Sequence, residues 1–269
     1  NVAVGNNALD ANTTADGNTG LGAGAMYANT EGHSNVAVGR RSLFSNTTGD
    51  NNVAVGFCAM KNSTTGNENV AVGMDAIKFG TTGSSNTALG ACTLGGSDVN
   101  TGDENIAIGR KSMFDNTSGA CNTAVGNDTL GNNTTGCLNT ASGYYALKNN
   151  TTPSSNTAFG ACSLMTNTTG SMNTAVGISS LKVQTTGREN VAVGGNSMCS
   201  TTTGMKNVGV GNYTLSKQTT GCLNTASGYL AGYCMTTGIR NVTVGSCSLC
   251  LNTTGNDNTV VEQVEKLAK

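Results

Sequence analysis

Tryptophan is absent from the chain, aromatic residues make up only 4% of it, and histidine occurs once, as His33. A core assembled from large side chains is excluded, so the interior must be narrow and built from small residues. Charge is as sparse: 11% of residues are charged, the net charge is −1, and there is no Lys/Arg cluster of the kind that neutralises phosphates or docks on anionic lipid. Nucleic acid and membrane surfaces are therefore not expected partners. No apolar run approaches the ~20 residues that span a bilayer, so membrane insertion is not expected. The sequence opens at Asn1 in mid-motif, without Met or a signal peptide, as expected of a processed product or a fragment.

What fills the space is a repeat. An asparagine recurs at 1, 18, 35, 52, 69 and 86, then at 105, 122, 139, 156, 173, 190, 207, 224, 241 and 258. The period is 17 residues, interrupted once by two extra residues between Asn86 and Asn105. Counting from that asparagine as position 1, the unit reads Asn, Thr/Val, Ala, Val/Leu, Gly, two variable residues, Ala/Ser/Thr, Leu/Met, two variable residues, Asn, Thr, Thr, Gly and two variable residues. The 38 glycines and the many Thr, Asn and Ala suit tight turns and thin strands. This period is too short for a helical hairpin and too long for a single strand and turn, but it suits one coil of a parallel β-solenoid.

In such a coil each position becomes a ladder at the ~4.8 Å strand spacing. Strand signals occupy positions 1 to 4 and again 8 to 10. The leading asparagines are expected to stack amide to amide. Position 5, glycine in all fifteen complete units, requires either positive φ or close backbone approach. Position 15 accepts Ala15 and Pro153, so its usual glycine serves compactness rather than a left-handed turn. Position 9 is Leu, Met or Ile everywhere except Gly232 and reads as the main inward ladder. Positions 2 and 4 are mostly apolar or Thr and position 3 is mostly Ala, so both faces of the first strand are small or apolar. That pattern points to chains associating side by side over the outer face; the alternative is an alanine ladder exposed at the surface.

The expected fold is all-β: a parallel β-solenoid (β-roll) of about fifteen 17-residue coils over residues 1–257, assembled as a trimer. The two-residue insertion should bulge at Gly95 to Val99 without breaking the ladder. After Asn258 the pattern changes, with Val260, Val264 and Leu267 at spacings of four and three. Residues 258–269 are read as a short C-terminal helix, either a cap on the last coil or the start of a coiled-coil stalk.

Ten cysteines and abundant Asn-x-Thr/Ser sequons point to an oxidising, extracellular setting, at a cell or virion surface. The alternative for the cysteines is a packing role in place of Ser or Ala. Cys121 and Cys137 are 16 residues apart, as are Cys234 and Cys250, one step off vertical in adjacent coils. That places each pair within the roughly 4.4 to 6.8 Å Cα separation of a disulfide, and both bridges are expected. The sequons at Asn12, Asn46, Asn116, Asn133, Asn150, Asn167 and Asn252 are candidate glycosylation sites if their turns are exposed, with isolated Asn46 and Asn252 ahead of the 116 to 167 column. Otherwise Asn-Thr-Thr-Gly is simply a turn whose asparagine bonds its own backbone.

From residue 1 to about 258, the Asn-Thr/Val-Ala-Val-Gly units resemble the head repeats of trimeric autotransporter adhesins. The fuller Asn-Thr-Ala-Val-Gly-x-x-Ala-Leu-x-x-Asn-Thr-Thr-Gly form is similar to repeats of phage tail-fibre-like and other surface fibre proteins. The resemblance implies a left-handed parallel β-roll, three chains packed side by side, a neck and coiled-coil stalk to follow, and a role in attachment.

A catalytic site brings unlike residues together, whereas this repeat lays like residues in rows. His33 has no evident partner in the sequence, Asp103 and Glu104 read as solvated loop residues in the irregular coil, and Cys247 and Cys250 lack the second pair a zinc site needs. The chain reads as a non-enzyme without cofactor or metal: a structural or adhesive surface fibre, a rod of roughly 70 Å. Its expected partners are copies of itself, with a cell-surface receptor or glycan as an outward target. One alternative is ice binding through the ladders Thr134/Thr135, Thr151/Thr152 and Thr168/Thr169. Another is glycan binding, for which Tyr144, Tyr145, Tyr229 and Tyr233 are scattered platforms.

Overall fold

The computed structural model describes residues 1–96 and 100–261, so part of the expected bulge (97–99) and most of the expected C-terminal helix (262–269) lie outside the described residues. Sixteen strands of three residues follow the repeat: β1 (Val2–Val4), β2 (Thr19–Leu21), β3 (Val36–Val38), β4 (Val53–Val55), β5 (Val70–Val72), β6 (Thr87–Leu89), β7 (Ile106–Ile108), β8 (Thr123–Val125), β9 (Thr140–Ser142), β10 (Thr157–Phe159), β11 (Thr174–Val176), β12 (Val191–Val193), β13 (Val208–Val210), β14 (Thr225–Ser227), β15 (Val242–Val244) and β16 (Thr259–Val261). The chain divides into two compact units, Asn1–Thr140 and Ala141–Lys269. In the first, β1 to β8 pair in parallel and in order, with partners 17 residues apart, as Val36 with Val53. Across the insertion Thr87 pairs with Ile106, and Asn105 N–H still donates to Asn86 Oδ1 at 2.9 Å, so the ladder is unbroken there. In the second unit β10 to β16 pair the same way. Each unit is thus a parallel β-solenoid, and no helix occurs among the described residues. Thr259–Val261, assigned to the C-terminal helix from the sequence, extends the strand pattern as β16.

The strands are short because the chemistry that starts them is soon cut off. Val, Ile or Thr at positions 2 and 4 favours extended backbone. Glycine at position 5 then takes φ between +117° and +140°. A Cβ on Gly39 would stand 2.6 Å from the Gly56 carbonyl oxygen of the next coil, so positive φ and close approach both apply. Beyond it the expected second strand does not form. Position 7 and position 9 adopt left-handed conformations instead, as at Cys58 (φ 55°) and Met60 (φ 51°), and so does position 17, as at Glu68 (φ 58°). Between them short local bonds, such as Asn46 N–H to Leu43 O at 3.3 Å, alternate with bonds to the next coil, such as Leu43 N–H to Ala59 O at 2.9 Å.

A left-handed conformation costs an L-residue roughly 1–2 kcal/mol, and leucine or methionine does little to relieve it. The compensation is burial: Leu43, Met60, Leu130, Leu181 and Leu215 are wholly inaccessible to solvent. Burying such a side chain is worth about 1.5–3 kcal/mol, so packing outweighs the backbone strain and position 9 is the inward ladder. Gly232 shows the same rule from its exception. Its missing side chain is replaced by Met235 from position 12, whose Sδ would lie 3.0 Å from a Cβ on Gly232, and Met235 is itself fully buried.

The rest of the core is small and polar. Alanine at position 3 points inward, as Ala37, Ala54, Ala107 and Ala192, all fully buried; the alternative of an alanine ladder at the surface is therefore not realised. Position 8 serines bond main-chain carbonyls, either at position 5 of their own coil, as Ser42 Oγ to Gly39 O at 2.9 Å, or at position 3 of the next, as Ser112 Oγ to Ala124 O at 3.2 Å. Position 15 glycines have no positive φ, but a Cβ on Gly49 would lie 2.5 Å from both Asn46 Oδ1 and Gly66 O. Compactness is indeed what that position requires.

The leading asparagines stack as expected and do more. Asn207 Nδ2 donates to Asn190 Oδ1 at 3.1 Å and to Gly221 O, across its own coil, at 2.8 Å. Its Oδ1 accepts both the backbone N–H (3.0 Å) and the Nδ2–H (3.2 Å) of Asn224. Four bonds saturate the amide. Replacing Asn207 by Ala leaves the buried Asn224 N–H without its acceptor, at about 1–3 kcal/mol, while the Gly221 carbonyl keeps the bond from Gln218 Nε2 at 2.6 Å. Urea denaturation followed by circular dichroism should show a lower midpoint for Asn207→Ala, while Thr203→Ala on the exposed position 14 column should change stability by less than ~0.5 kcal/mol.

Candidate functional site

The face left over once the core is filled is the outer side of the strands. Positions 2 and 4 point outward, and among them Val72, Ile106, Phe159 and Val210 are 38%, 42%, 44% and 42% exposed. None of the sixteen strands contains a charged residue. Each unit therefore presents rows of β-branched and apolar side chains interspersed with threonine, where a solvated sheet face would alternate with polar and charged groups.

The sequon asparagines do not share the surface. Asn46, Asn116, Asn133, Asn150 and Asn167 are buried, and Asn12 and Asn252 are half-buried. Their amides are directed into the coil: Asn46 Nδ2 donates to Asn29 Oδ1 (2.7 Å) and Gly49 O (2.9 Å), and Asn167 Nδ2 to Asn150 Oδ1 (3.0 Å) and Gly170 O (2.7 Å). A glycan is attached through this same nitrogen, so the exposure on which the glycosylation reading depended is corrected for the five buried positions. Asn12 Nδ2 likewise bonds Ala15 O at 3.0 Å, and Asn252 Oδ1 accepts the Gly255 N–H at 2.8 Å. Where Gln184 replaces asparagine, its longer side chain still reaches Gly187 O at 2.8 Å.

Neither expected disulfide is formed. One step off vertical brings Cys121 and Cys137 into adjacent coils but sends their side chains down different columns. The Cys121 thiol donates to Glu104 Oε2 at 3.4 Å, and Cys137 Sγ accepts the Ala120 N–H at 3.4 Å. Cys234 and Cys250 are neighbours through the backbone, with Cys234 N–H to Cys250 O at 3.1 Å. Burial and the adjacent Cys247 push the Cys250 thiol above its ordinary value. Among the described residues no group of three or more His, Cys, Asp or Glu could hold a metal ion.

The remaining motifs resolve into ladders. Position 13 threonines bond the next coil, as Thr47 Oγ1 to Thr64 O at 3.1 Å and Thr185 Oγ1 to Thr202 O at 3.2 Å, which leaves only position 14, with Thr48, Thr135 and Thr203, exposed. Position 16 side chains accept backbone N–H groups one coil back: Asp50 Oδ1 from His33 at 2.6 Å, and Asp103 Oδ1 from Ser84 at 2.7 Å. Asp103 and Glu104 are exposed loop carboxylates, as read from the sequence, and in addition Asp103 is a rung and Glu104 a thiol acceptor. His33 does find a partner, with Nδ1 2.7 Å from Asp16 Oδ1. The Asp16 N–H also approaches Nδ1, at 3.1 Å, and the tautomer of the ring decides which of the two bonds Nδ1 makes.

Aromatic residues cluster more than their scatter in the sequence suggested. Tyr144 and Tyr145 stack at 3.8 Å, Lys148 Nζ lies 4.0 Å from the Tyr145 ring centre, and Lys217 Nζ lies 5.0 Å from that of Tyr233. Sequence reasoning missed Tyr27 and Phe44, whose rings stack at 5.1 Å beside Arg40 and Arg41. The signal was available: both occupy position 10, in consecutive repeats. Comparison of the chain with protein-family models, curated proteins and solved structures finds no match.

The hydrogen bond to Glu104, with burial and nearby negative charge adding to it, raises the Cys121 thiol above its ordinary value. A raised value means less thiolate at mildly alkaline pH and slower alkylation. Glu104→Gln should speed the reaction of Cys121 with iodoacetamide at pH 8, read by peptide mass spectrometry against Cys162 as internal reference.

Proposed function

We propose that the protein is the rod of an extracellular surface fibre, built by copies of this chain packing side by side through their outer strand faces, three to an assembly. The observation that carries this reading is the outward surface of positions 2 and 4. It is uncharged, rich in Val, Ile, Leu and Thr, and repeated at every coil. Such rows gain by leaving water, and a second copy offers the same surface at the same spacing, so each row meets an identical row in register. A partner of unrelated fold would have to reproduce the coil spacing to do as well.

The resemblance of the repeats to trimeric adhesin heads supports three chains rather than two, and a role in attachment at a cell or virion surface. A non-enzymatic role fits the use of side chains seen along the coils. Asparagine, threonine and position 16 groups are spent on backbone partners, which yields a stiff, saturated scaffold rather than a poised reacting group.

Sedimentation equilibrium on the purified chain should give three times the monomer mass. Val55→Lys with Val72→Lys places two charges on the outer face without touching the core, so the circular dichroism spectrum should be unchanged while the mass falls to that of one chain. A wild-type monomer at every accessible concentration would overturn the assembly.

A further inference from the structure

The corner that follows the strand, formed by positions 6, 7 and 10, opens into a cleft of about 390 Å³ in the first unit, lined by Asn6, Asn7, Gly24, Tyr27, Arg40, Arg41 and Phe44 together with Ala23. Its size falls within the roughly 300–1,000 Å³ of small-molecule sites. Two observations set it apart from the same corner elsewhere, and a third supplies its charge.

The first is that the cleft exists because a side chain is missing. Gly24 stands at position 7 with φ +68°, and a Cβ there would lie 3.3 Å from Phe44 Cε2 and 3.6 Å from Arg41 Cγ. In every other complete repeat this position carries a side chain, and those residues adopt the same left-handed conformation: Asn7 at φ 55°, Cys58 at 55°, Asn196 at 54°, Leu230 at 58°. The backbone does not demand glycine here. What glycine provides is room.

The second is the wall. Tyr27 and Phe44 stack with their planes 8° apart, and Tyr27 is 36% exposed. The Arg41 guanidinium lies 5.7 Å from the Phe44 ring centre and that of Arg40 lies 5.8 Å from Phe57, so both cations are held by aromatic faces.

The third is uncompensated charge. Lys78, Lys206 and Arg240 have a carboxylate within ion-pair distance, but among the described residues Arg40 and Arg41 have none; they share this with Arg110 and Lys111 beside Phe114, a corner that has neither a glycine at position 7 nor a second ring. Adjacent guanidinium groups without acid partners, beside an apolar aromatic wall and faced by the amides of Asn6 and Asn7, match a ligand that combines three features: an anionic group, an apolar face of C–H groups, and hydroxyls.

We propose that this cleft binds an anionic saccharide, a sugar carrying a carboxylate or a sulfate ester. Arg40 and Arg41 take the acid group, Tyr27 and Phe44 pack against the C–H face of the ring, and Asn6 and Asn7 bond its hydroxyls. The site lies at the corner after the strand and uses none of the position 2 and 4 side chains of the outer strand face.

Isothermal titration calorimetry on the full chain tests this with three probes: a sulfated tetrasaccharide derived from heparin, a tetragalacturonate and neutral maltotetraose. At least one acidic probe should bind and the neutral one should not, and the pair of acidic probes separates sulfate from carboxylate recognition. Gly24→Asn, which copies Asn7 and Asn196 and so fits the backbone, should fill the cleft and weaken binding by about tenfold or more, as should Arg41→Gln. Lys111→Gln, at position 7 beside Phe114, should bind like the parent chain. Circular dichroism melting confirms that each variant keeps its fold. Binding of neither acidic probe, equal binding of the neutral one, or undiminished binding by a folded Gly24→Asn would overturn the proposal.

Discussion

The saturated amide of the leading asparagine is the constraint from which the rest of the coil follows. A side-chain amide has two donors and two acceptor sites, and at position 1 all four are used inside the protein: one bond closes the coil onto position 15, and the others tie it to the coils before and after. Because those partners include a backbone N–H and a backbone carbonyl, a side chain there must both accept and donate, and one that cannot do both leaves a bond to the main chain unmade. Position 12 makes the contrast. Its asparagine also bonds position 15 but supplies no acceptor to the next backbone, and there Ser63, Gln184, Thr201, Gln218 and Met235 are tolerated. The expense of those exceptions is small and local: Asn46 Oδ1, followed by Ser63, and Asn167 Oδ1, followed by Gln184, lack a hydrogen-bond partner.

Closing the coil onto position 15 also dictates its cross-section. The asparagine reaches across only if the glycine carbonyl is near, and the glycine can be near only without a side chain. The space that remains admits one alanine, one small residue and one leucine or methionine per coil. With so little volume to bury, the chain accepts left-handed leucine at position 9 because that conformation turns the largest available side chain inward.

The period, the asparagine stack, the role of the position 15 glycine and the inward leucine ladder were legible in the sequence because each depends on identity at a fixed spacing. Direction was not. Alternation tells which residues share a face only within a strand, and with three residues per strand it could not say whether alanine or valine looks outward. The left-handed turns at positions 7 and 9 carry no compositional mark, since Cys58, Met60 and Ile77 occupy them, and this is why a second strand was read where none forms. The same blindness explains Cys121 and Cys137, correctly placed in adjacent coils yet aimed into separate columns, and the sequons, whose spelling says nothing of which way Asn133 points. The cleft escaped notice for another reason: it is made by what Gly24 omits, and glycine is too common in this chain to draw attention.

The exchange between Gly232 and Met235 shows what kind of object such a coil is. A lost leucine side chain is made good from three residues further along the same turn, with Thr243 contributing its methyl group from the strand below. Compensation is thus found at arm's length, so a substitution poses a problem to its own layer and the one next to it, and to little beyond. A chain organised in this way can be edited almost rung by rung, its corners free to acquire aromatic, charged or sulfur-bearing residues independently. Variation of that sort ordinarily threatens a globular core, in which every large residue leans on many others; here it is quarantined by architecture.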